Sequence, residues 1–151
     1  MTAPRGLQYI PLGGADRTGH KNLSLYRCDG QLLMVDCGFA FPDERYPGAE
    51  LILPDLTPLK PQVHQLQAIV LTHRHEDHIG AVAWLWAEMP VPLYCTPYVA
   101  ATLREKLAQL GLTPPAPIIL VKPGQREVVG PFALEWVHMT HSTPENTSLI
   151  I

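Results

Sequence analysis

The sequence has no run of about 20 consecutive apolar residues, the length that a membrane-spanning helix requires. It also has no basic leader followed by an apolar core of the kind that marks a secretory signal. We therefore expect no membrane association and a cytoplasmic location.

Positive charge is also scarce. The chain carries 11 lysines and arginines against 14 aspartates and glutamates, a formal net charge of -3. Proteins that hold nucleic acid through counterion release need a cationic surface. The charge balance therefore argues against autonomous RNA binding.

Only three cysteines occur, at wide spacing, namely Cys28, Cys37 and Cys95. They form no zinc-ribbon pair, and their odd number does not indicate a disulfide framework. We predict small buried thiols. The 151 residues show no internal repeat, and this length fits one domain of common size.

Residues that can carry chemistry are concentrated at positions 72–80, which read Thr-His-Arg-His-Glu-Asp-His-Ile-Gly. An apolar run at 68–71 precedes them, as expected for a buried strand. Apolar residues follow at helical spacing, namely Ile79, Val82, Trp86 and Met89. The stretch is predicted to form a turn from strand to helix.

This turn would place two pairs of metal ligands at one cavity. His73 and His75, two apart in extended chain, would point the same way, and Asp77 and His78 would lie in the first helical turn. Imidazole and carboxylate suit zinc, which binds nitrogen at roughly 2.0–2.1 Å. The alternative is a solvated loop with Asp77 as the helix cap. Three histidines and an aspartate within six positions favour the metal.

The pattern His-x-His-x-Asp-His at 73–78 resembles the signature of the metallo-β-lactamase superfamily, which specifies no single reaction. Flanking sequences narrow the resemblance, because their order and spacing are similar to the amino-terminal part of the ribonuclease J family, β-CASP metallo-nucleases of RNA. They are Leu12-Gly13-Gly14, Val35-Asp36-Cys37-Gly38, Phe41-Pro42, Pro47-Gly48, Leu51-Ile52-Leu53-Pro54-Asp55 and Thr140-His141-Ser142.

The resemblance implies an α/β (α+β) fold, the metallo-β-lactamase αββα sandwich, of which this chain would hold the amino-terminal half. Residues 1–151 would form one truncated metallo-β-lactamase-like domain, with the β-CASP domain absent. Relatives supply a bridging aspartate and another histidine from later sequence, but no aspartate or histidine follows His141 here. The missing carboxy-terminal portion, or a second copy in a homo-oligomer, would then complete the site.

The resemblance also assigns ligands. His73, His75 and His141 would hold one zinc, while Asp77 and His78 would hold part of a second site and act in catalysis. Two zinc ions are expected in the complete enzyme, with manganese or magnesium as alternatives. Metals roughly 3.5–4 Å apart would bridge a hydroxide that attacks an RNA phosphodiester and leaves a 5′-phosphate product.

Three nearby residues have alternative interpretations. Asp36 either forms a turn or, as the resemblance implies, accepts hydrogen bonds that orient the metal-binding loop. Ser142 binds a phosphate oxygen of the substrate or caps the adjacent turn. Cys37 adjoins Asp36, where a thiol could contact a metal.

Other polar residues receive no role in the site. The loop at 15–22 departs from the family pattern, because Arg17 stands where a glutamate is expected, and His20 is interpreted as a solvated loop residue. His64 precedes the core strand, and His138 lies on the opposite strand face from His141. Both are interpreted as structural.

Three hypotheses about function follow. The first is a zinc-dependent ribonuclease acting in RNA processing or decay, active when its missing portion is present or supplied by another chain. The second is a hydrolase of the same fold acting on a small ester, thioester or lactam, which the acidic charge favours. The third is a non-catalytic metal-binding fragment that pairs through an exposed sheet edge. The Pro-Gly, Leu-Pro-Asp and Thr-His-Ser stretches favour the first.

The remaining sequence predicts scaffold. Strands are predicted at 7–12, 23–27, 31–35, 93–95, 118–121 and 132–140, with a hairpin turn at Asp29-Gly30. A helix is predicted from a Thr96 N-cap to a stop at Gly111, with Arg104 and Lys106 on its solvated face. Its apolar stripe is Val99, Leu103, Leu107 and Leu110. Residues 39–61 are predicted to form an ordered loop over the sheet edge.

Overall fold

The computed structural model describes residues 6–15 and 19–151, whose strands form two sheets. The larger sheet has six strands in sequential order, β1 Gln8–Gly13, β2 Leu23–Cys28, β3 Gln31–Val35, β4 Leu66–Val70, β5 Leu93–Cys95 and β6 Ile118–Leu120. Strands β1 to β3 pair antiparallel, and β3 to β6 pair parallel. The smaller, antiparallel sheet contains β7 Arg126–Val129, β8 Phe132–His138 and β9 Thr147–Ile150.

Side-chain alternation along the central strands creates two apolar cores. Leu32 of β3 packs on the side of the larger sheet that the helices cover, whereas Leu33 packs on the other side with Trp136 of the smaller sheet. The layers are therefore helix, sheet and sheet, which confirms the predicted fold class. The helices are α1 Glu76–Ile79, α2 Val82–Leu85 and α3 Pro97–Gln109.

Turn chemistry fixes the first hairpin. Asp29 and Gly30 both adopt positive φ, 47° and 76°, as a two-residue turn of the primed type requires, so the predicted turn is confirmed. Strand β8 ends two residues earlier than predicted, at His138, and therefore leaves His141 in a loop. Among the described residues, no helix combines the length and apolar character needed to cross a bilayer.

The long segment after β3 is ordered by packing. It contains one isolated β-bridge, between Ala40 and Ile52, and its buried Phe39, Leu56 and Leu59 join the core on the helix side of the larger sheet. A 3₁₀ turn at Lys60–Gln65 then leads into β4. Arg17, where the sequence departs from the family pattern, lies outside the described residues.

Helix α3 differs from its prediction at three positions. Leu110 is exposed, because the helix ends at Gln109 and residue 110 leaves the helical path before Gly111 turns at φ 67°. Thr96 occupies the N-cap position, but its side chain makes no capping hydrogen bond. Lys106 is not part of a solvated face, since its Nζ lies 2.6 Å from a carboxylate oxygen of Glu76 on α1.

Candidate metal centre

The predicted strand-to-helix turn is present, with β4 ending at Val70 and α1 beginning after His75. The helix predicted to continue to Met89 is instead divided into α1, α2 and a 3₁₀ turn at Trp86–Glu88. Its apolar residues are nevertheless all buried, namely Ile79, Val82, Trp86 and Met89. The predicted apolar face is therefore correct, although the single helix is not.

Hydrogen bonds from distant loops explain this division. The carbonyl oxygen of Asp77 accepts the N–H of Asn22 at 2.8 Å, and that of His78 accepts the N–H of Cys37 at 2.7 Å. The N–H of Ala81 in turn donates to the carbonyl of Cys37 at 3.0 Å. Because these groups bond to the loops, they do not continue a regular helix. The loops thereby clamp the turn that carries Asp77 and His78.

Gly38 is needed for this clamp. A Cβ at position 38 would lie 1.7 Å from the carbonyl oxygen of Asp77 and 2.5 Å from the backbone nitrogen of His78. Only glycine allows the two backbones to approach so closely.

Three histidines converge at the end of β4. Nδ1 of His75 lies 3.2 Å from Nε2 of His73 and 3.1 Å from Nε2 of His141. All three nitrogens lie within 4.8 Å of one another. In a tetrahedral zinc site with bonds of roughly 2.0–2.1 Å, neighbouring ligand atoms are about 3.3 Å apart. The spacing and the chemistry of these donors therefore fit zinc.

Hydroxyl groups lie within hydrogen-bond distance of the other ring nitrogens of His73 and His75. Thr72 Oγ1 donates to the Asp36 carboxylate at 2.9 Å and can therefore accept from Nδ1–H of His73, 3.0 Å away. Ser142 Oγ lies 3.2 Å from Nε2 of His75. With these nitrogens protonated, Nε2 of His73 and Nδ1 of His75 keep their lone pairs for a metal.

His78 and Asp77 form a second pair beside the three histidines. Nδ1 of His78 lies 2.7 Å from Oδ2 of Asp36, so its Nε2 is the nitrogen left for a ligand, and this atom lies 3.5 Å from Oδ2 of Asp77. Asp77 does not cap the helix, because the N-cap residue is His75. The alternative prediction of a simple capping aspartate is wrong.

Asp36 connects the two groups of histidines. Its buried carboxylate accepts hydrogen bonds from the N–H and hydroxyl of Thr72 and from His78. Its backbone has φ 61°, an uncommon conformation for a residue other than glycine, which costs roughly 1–2 kcal/mol. Asp36 thus forms a turn, and its carboxylate also contacts the segment that carries the histidine motif.

Burial and neighbouring charge make the histidines unequal as bases. Burial, reinforced by His78, lowers the pKa of His73 to about 4, so this ring is neutral at pH 7. Burial and His141 also lower the pKa of His75. Burial alone would lower the pKa of His78, but its hydrogen bond to Asp36 and the charge of that carboxylate raise it above the ordinary value.

The loop that carries His141 is fastened to both layers. The N–H and the Oγ1 of Thr147 donate to the carbonyl of Thr72 at 3.1 and 2.8 Å. Oε2 of Glu145 accepts the N–H of Tyr98 at 2.8 Å, which supplies the α3 cap that Thr96 does not provide. An open cleft of about 340 Å³ lies between this loop and the turn, with His73, His78 and His141 among its lining residues.

The other residues considered from sequence lie away from the centre. His64 is exposed in the 3₁₀ turn, and His138 is exposed at the end of β8. His20 lines a separate cleft with Lys21 and Phe41. Cys37 belongs to the apolar core, where burial raises the pKa of its thiol to about 12. It therefore packs in the core and does not belong to the three-histidine cluster.

Two residues of the centre were not predicted, Thr72 and Asn22. Thr72 directly precedes the histidine motif, and this position is its only sequence signal. Asn22 lies more than 50 positions from Asp77, so no local pattern could connect the two.

Sequence comparison agrees with this geometry. The profile of the metallo-beta-lactamase superfamily matches residues 16–151. The chain belongs to this superfamily. The protein YhfI from Bacillus subtilis, a solved metallo-β-lactamase-fold structure, shares the fold with a TM-score of 0.63 at 20% identity, over 95% of this chain and 56% of that one.

Within the superfamily, the chain is similar to ribonucleases J. This superfamily member is 42% identical to ribonuclease J of Sinorhizobium meliloti, over 100% of this chain and 27% of that protein. It is 39% identical to ribonuclease J of Thermus thermophilus, over 96% of this chain and 26% of that protein. The predicted resemblance to ribonuclease J is confirmed, and the chain spans about a quarter of the length of these relatives.

Proposed function

We propose that the chain is the metal-binding part of a zinc-dependent ribonuclease of ribonuclease J type, which hydrolyses RNA phosphodiesters in RNA processing or decay. The observation that carries the proposal is the three-histidine cluster, in a chain whose similarity to ribonucleases J extends over its whole length. RNA is the proposed substrate. The β-CASP domain, the carboxy-terminal ligands, a homo-oligomer and the cytoplasmic location stay predictions.

Some residues of the centre would bind metal, and Asp36 would orient them. His73, His75 and His141 would hold one zinc, and Asp77 and His78 would contribute to a second site for zinc, manganese or magnesium. When bound, such ions lower the pKa of water from about 15.7 towards 7 and stabilise charge on a phosphoryl group. Asp36 keeps His78 and Thr72 in place through its hydrogen bonds.

Ser142 is proposed to contact the substrate. Its side chain is exposed, and its Oγ lies 3.2 Å from Nε2 of His75. A hydroxyl can accept one hydrogen bond and donate another. Ser142 would therefore accept a hydrogen bond from Nε2–H of His75 and donate a hydrogen bond to a phosphate oxygen.

Parallel activity assays with two substrates test the proposal. The zinc-loaded or manganese-loaded chain is incubated with a 5′-monophosphorylated RNA and, separately, with a chromogenic lactam, and His75→Ala serves as the matched control. We expect RNA cleavage products with 5′-phosphates, and we expect them to disappear in His75→Ala.

Other outcomes would favour the alternative hypotheses. Lactam hydrolysis without RNA cleavage would contradict the proposal and support a small-molecule hydrolase. Absence of both activities in a metal-loaded chain would show that this chain alone does not catalyse, and RNA cleavage would then be expected only with the missing portion supplied.

A further inference from the structure

Glu76 stands between two candidate metal ligands in the sequence, His75 and Asp77. Its own carboxylate is not part of the three-histidine cluster and instead contacts helix α3. Both of its oxygens accept hydrogen bonds from Nζ of Lys106, at 2.6 and 2.7 Å. The residue that joins the two ligands is therefore bound through its side chain to a neighbouring helix.

The backbone of Glu76 is fixed as well. Its carbonyl oxygen accepts the N–H of Phe39 at 3.1 Å and the N–H of Gly80 at 2.8 Å. A Cβ at position 80 would lie 2.4 Å from this oxygen, so glycine is needed there. Three segments thus hold Glu76, namely the loop after β3, the residue that ends α1 and, through Lys106, helix α3.

Helix α1 needs contacts of this kind, because it contains only the four residues Glu76–Ile79. A helix of one turn has too few internal hydrogen bonds to be stable on its own. Its position therefore depends on groups outside it. Lys106 supplies such a contact at its first residue.

The ion pair between Lys106 and Glu76 is better protected from water than a typical surface pair. Lys106 keeps 22% of its side-chain surface exposed, against 63% for Lys60 in its ion pair with Glu88. Partial burial reduces screening by water and salt, and hydrogen bonds between charged groups are stronger than neutral ones. The pair is therefore a firm connection between α1 and α3.

We propose that Lys106 is a positioning residue of the metal centre, which fixes His75 and Asp77 through its hydrogen bonds to Glu76. Lys106 does not contact the metal itself. Without it, the first turn of α1 is freer to move, and the ligands on either side of Glu76 are less often at the spacing that a metal needs. The inference rests on the proposed function, because it takes the three-histidine cluster as a zinc site.

Zinc affinity and cobalt spectra test the assignment. The native chain and its variants are titrated with Zn²⁺ against a chromophoric chelator, and separately with Co²⁺, whose visible absorption reports the geometry of its ligands. We expect Lys106→Met, which keeps an unbranched side chain without the charge, to weaken zinc binding by about tenfold and to change the cobalt absorption. Lys106→Arg should recover most of the affinity, because it keeps a cation that can bind the carboxylate.

Two further variants serve as controls. Arg104→Met removes the same charge from the exposed face of α3, and it should change neither the zinc affinity nor the cobalt spectrum. A double variant, Glu76→Gln with Lys106→Met, should bind zinc no more weakly than Lys106→Met alone, because both changes break the same connection. Additive losses of zinc affinity would overturn the inference.

A purely structural role for Lys106 gives a different result. Urea unfolding of metal-free Lys106→Met would show lower stability, while the folded variant would bind zinc as tightly as Arg104→Met, and this outcome would overturn the inference. If Lys106→Met does not fold, Glu76→Gln decides, because it keeps the size of the side chain. We expect it to bind zinc several-fold more weakly, and native affinity in that variant overturns the inference.

The proposed function is tested separately, because zinc binding is measured without RNA. A native chain that binds zinc as tightly as Lys106→Met overturns only the role of Lys106. A native chain that fails to bind zinc contradicts the three-histidine centre, and the inference with it.

Discussion

At the scale of single residues, the centre depends on hydrogen bonds at the ring nitrogens that face away from the ligand positions. His73 uses Thr72, His75 uses Ser142, and His78 uses Asp36. Such partners fix the ring orientation and the tautomer of a metal-binding histidine. The three rings are thus positioned for a metal by groups that would not contact it.

His75 offers the clearest test of the first site. Its Nδ1 lies within 3.2 Å of Nε2 of both His73 and His141. Its side chain is only half-buried, so we expect that replacing it by alanine leaves no large cavity in the core. We expect His75→Ala to lose most of its bound zinc, and His64→Ala, altered in an exposed turn, to keep it. Plasma mass spectrometry of protein purified without added metal gives both values. Equal metal content in the two variants would contradict the site.

At the scale of elements, local sequence patterns predicted several turns and helix faces, but not the features that depend on long-range hydrogen bonds. The hairpin at Asp29-Gly30, the β4 turn and the buried face of α3 follow from turn chemistry and periodicity within about ten residues. The break after α1 could not be predicted in this way, because it depends on hydrogen bonds from Asn22 and Cys37. The side-chain contacts of Asn22 with Asp77 and His78 arise in the same way, since they are set by the fold and not by the local sequence.

The N-terminal cap of α3 is another feature that local sequence did not predict correctly. Thr96 has the residue type and position of an N-cap, yet the acceptor comes from Glu145, in the loop that carries His141. This hydrogen bond joins the start of a helix on one side of the larger sheet to a loop of the smaller sheet. The cap therefore also fixes the third histidine relative to the other two.

Glu145→Ala should weaken both the fold and the metal site. Loss of a capping acceptor costs about 1 kcal/mol of unfolding free energy, and release of the His141 loop should lower zinc affinity by about tenfold. Glu145→Gln should lose less of both, since it keeps an acceptor oxygen in the same left-handed backbone, φ 56°.

Urea unfolding and zinc titration measure the two effects. Glu105→Ala on the exposed face of α3 is the matched control, because the carboxylate of Glu105 accepts a hydrogen bond from Gln109 of the same helix and from no other residue that the structure describes. Equal zinc affinity in Glu145→Ala and Glu105→Ala would show that the cap does not position His141.

At the scale of the whole molecule, the metal centre lies where the two sheets meet. His73 and His75 follow β4 of the larger sheet, and His141 precedes β9 of the smaller one. Adjacent residues of β3, Leu32 and Leu33, belong to the two different cores. A metal held by these three histidines would therefore connect both cores, and its binding should stabilise the entire fold.

Thiol reactivity reports this coupling without any assay of function. Cys37 and Cys95 are buried, and burial raises the pKa of both thiols to about 12, so the reactive thiolate at pH 8 is on the order of one part in 10⁴. Cys28 is half-buried. We expect a disulfide reagent to modify one thiol rapidly in the native chain, and the other two only as the chain unfolds.

Zinc should slow this second phase, because a ligand that binds only the folded state adds about 2.7 kcal/mol of stability at a hundredfold excess over its dissociation constant. Cys28→Ser should remove the rapid phase and leave the slow one unchanged. His75→Ala should keep both phases but lose the effect of zinc, since the remaining two histidines bind it weakly. A slow phase that zinc does not affect in the native chain would mean that the three histidines do not join the two sheets through a metal.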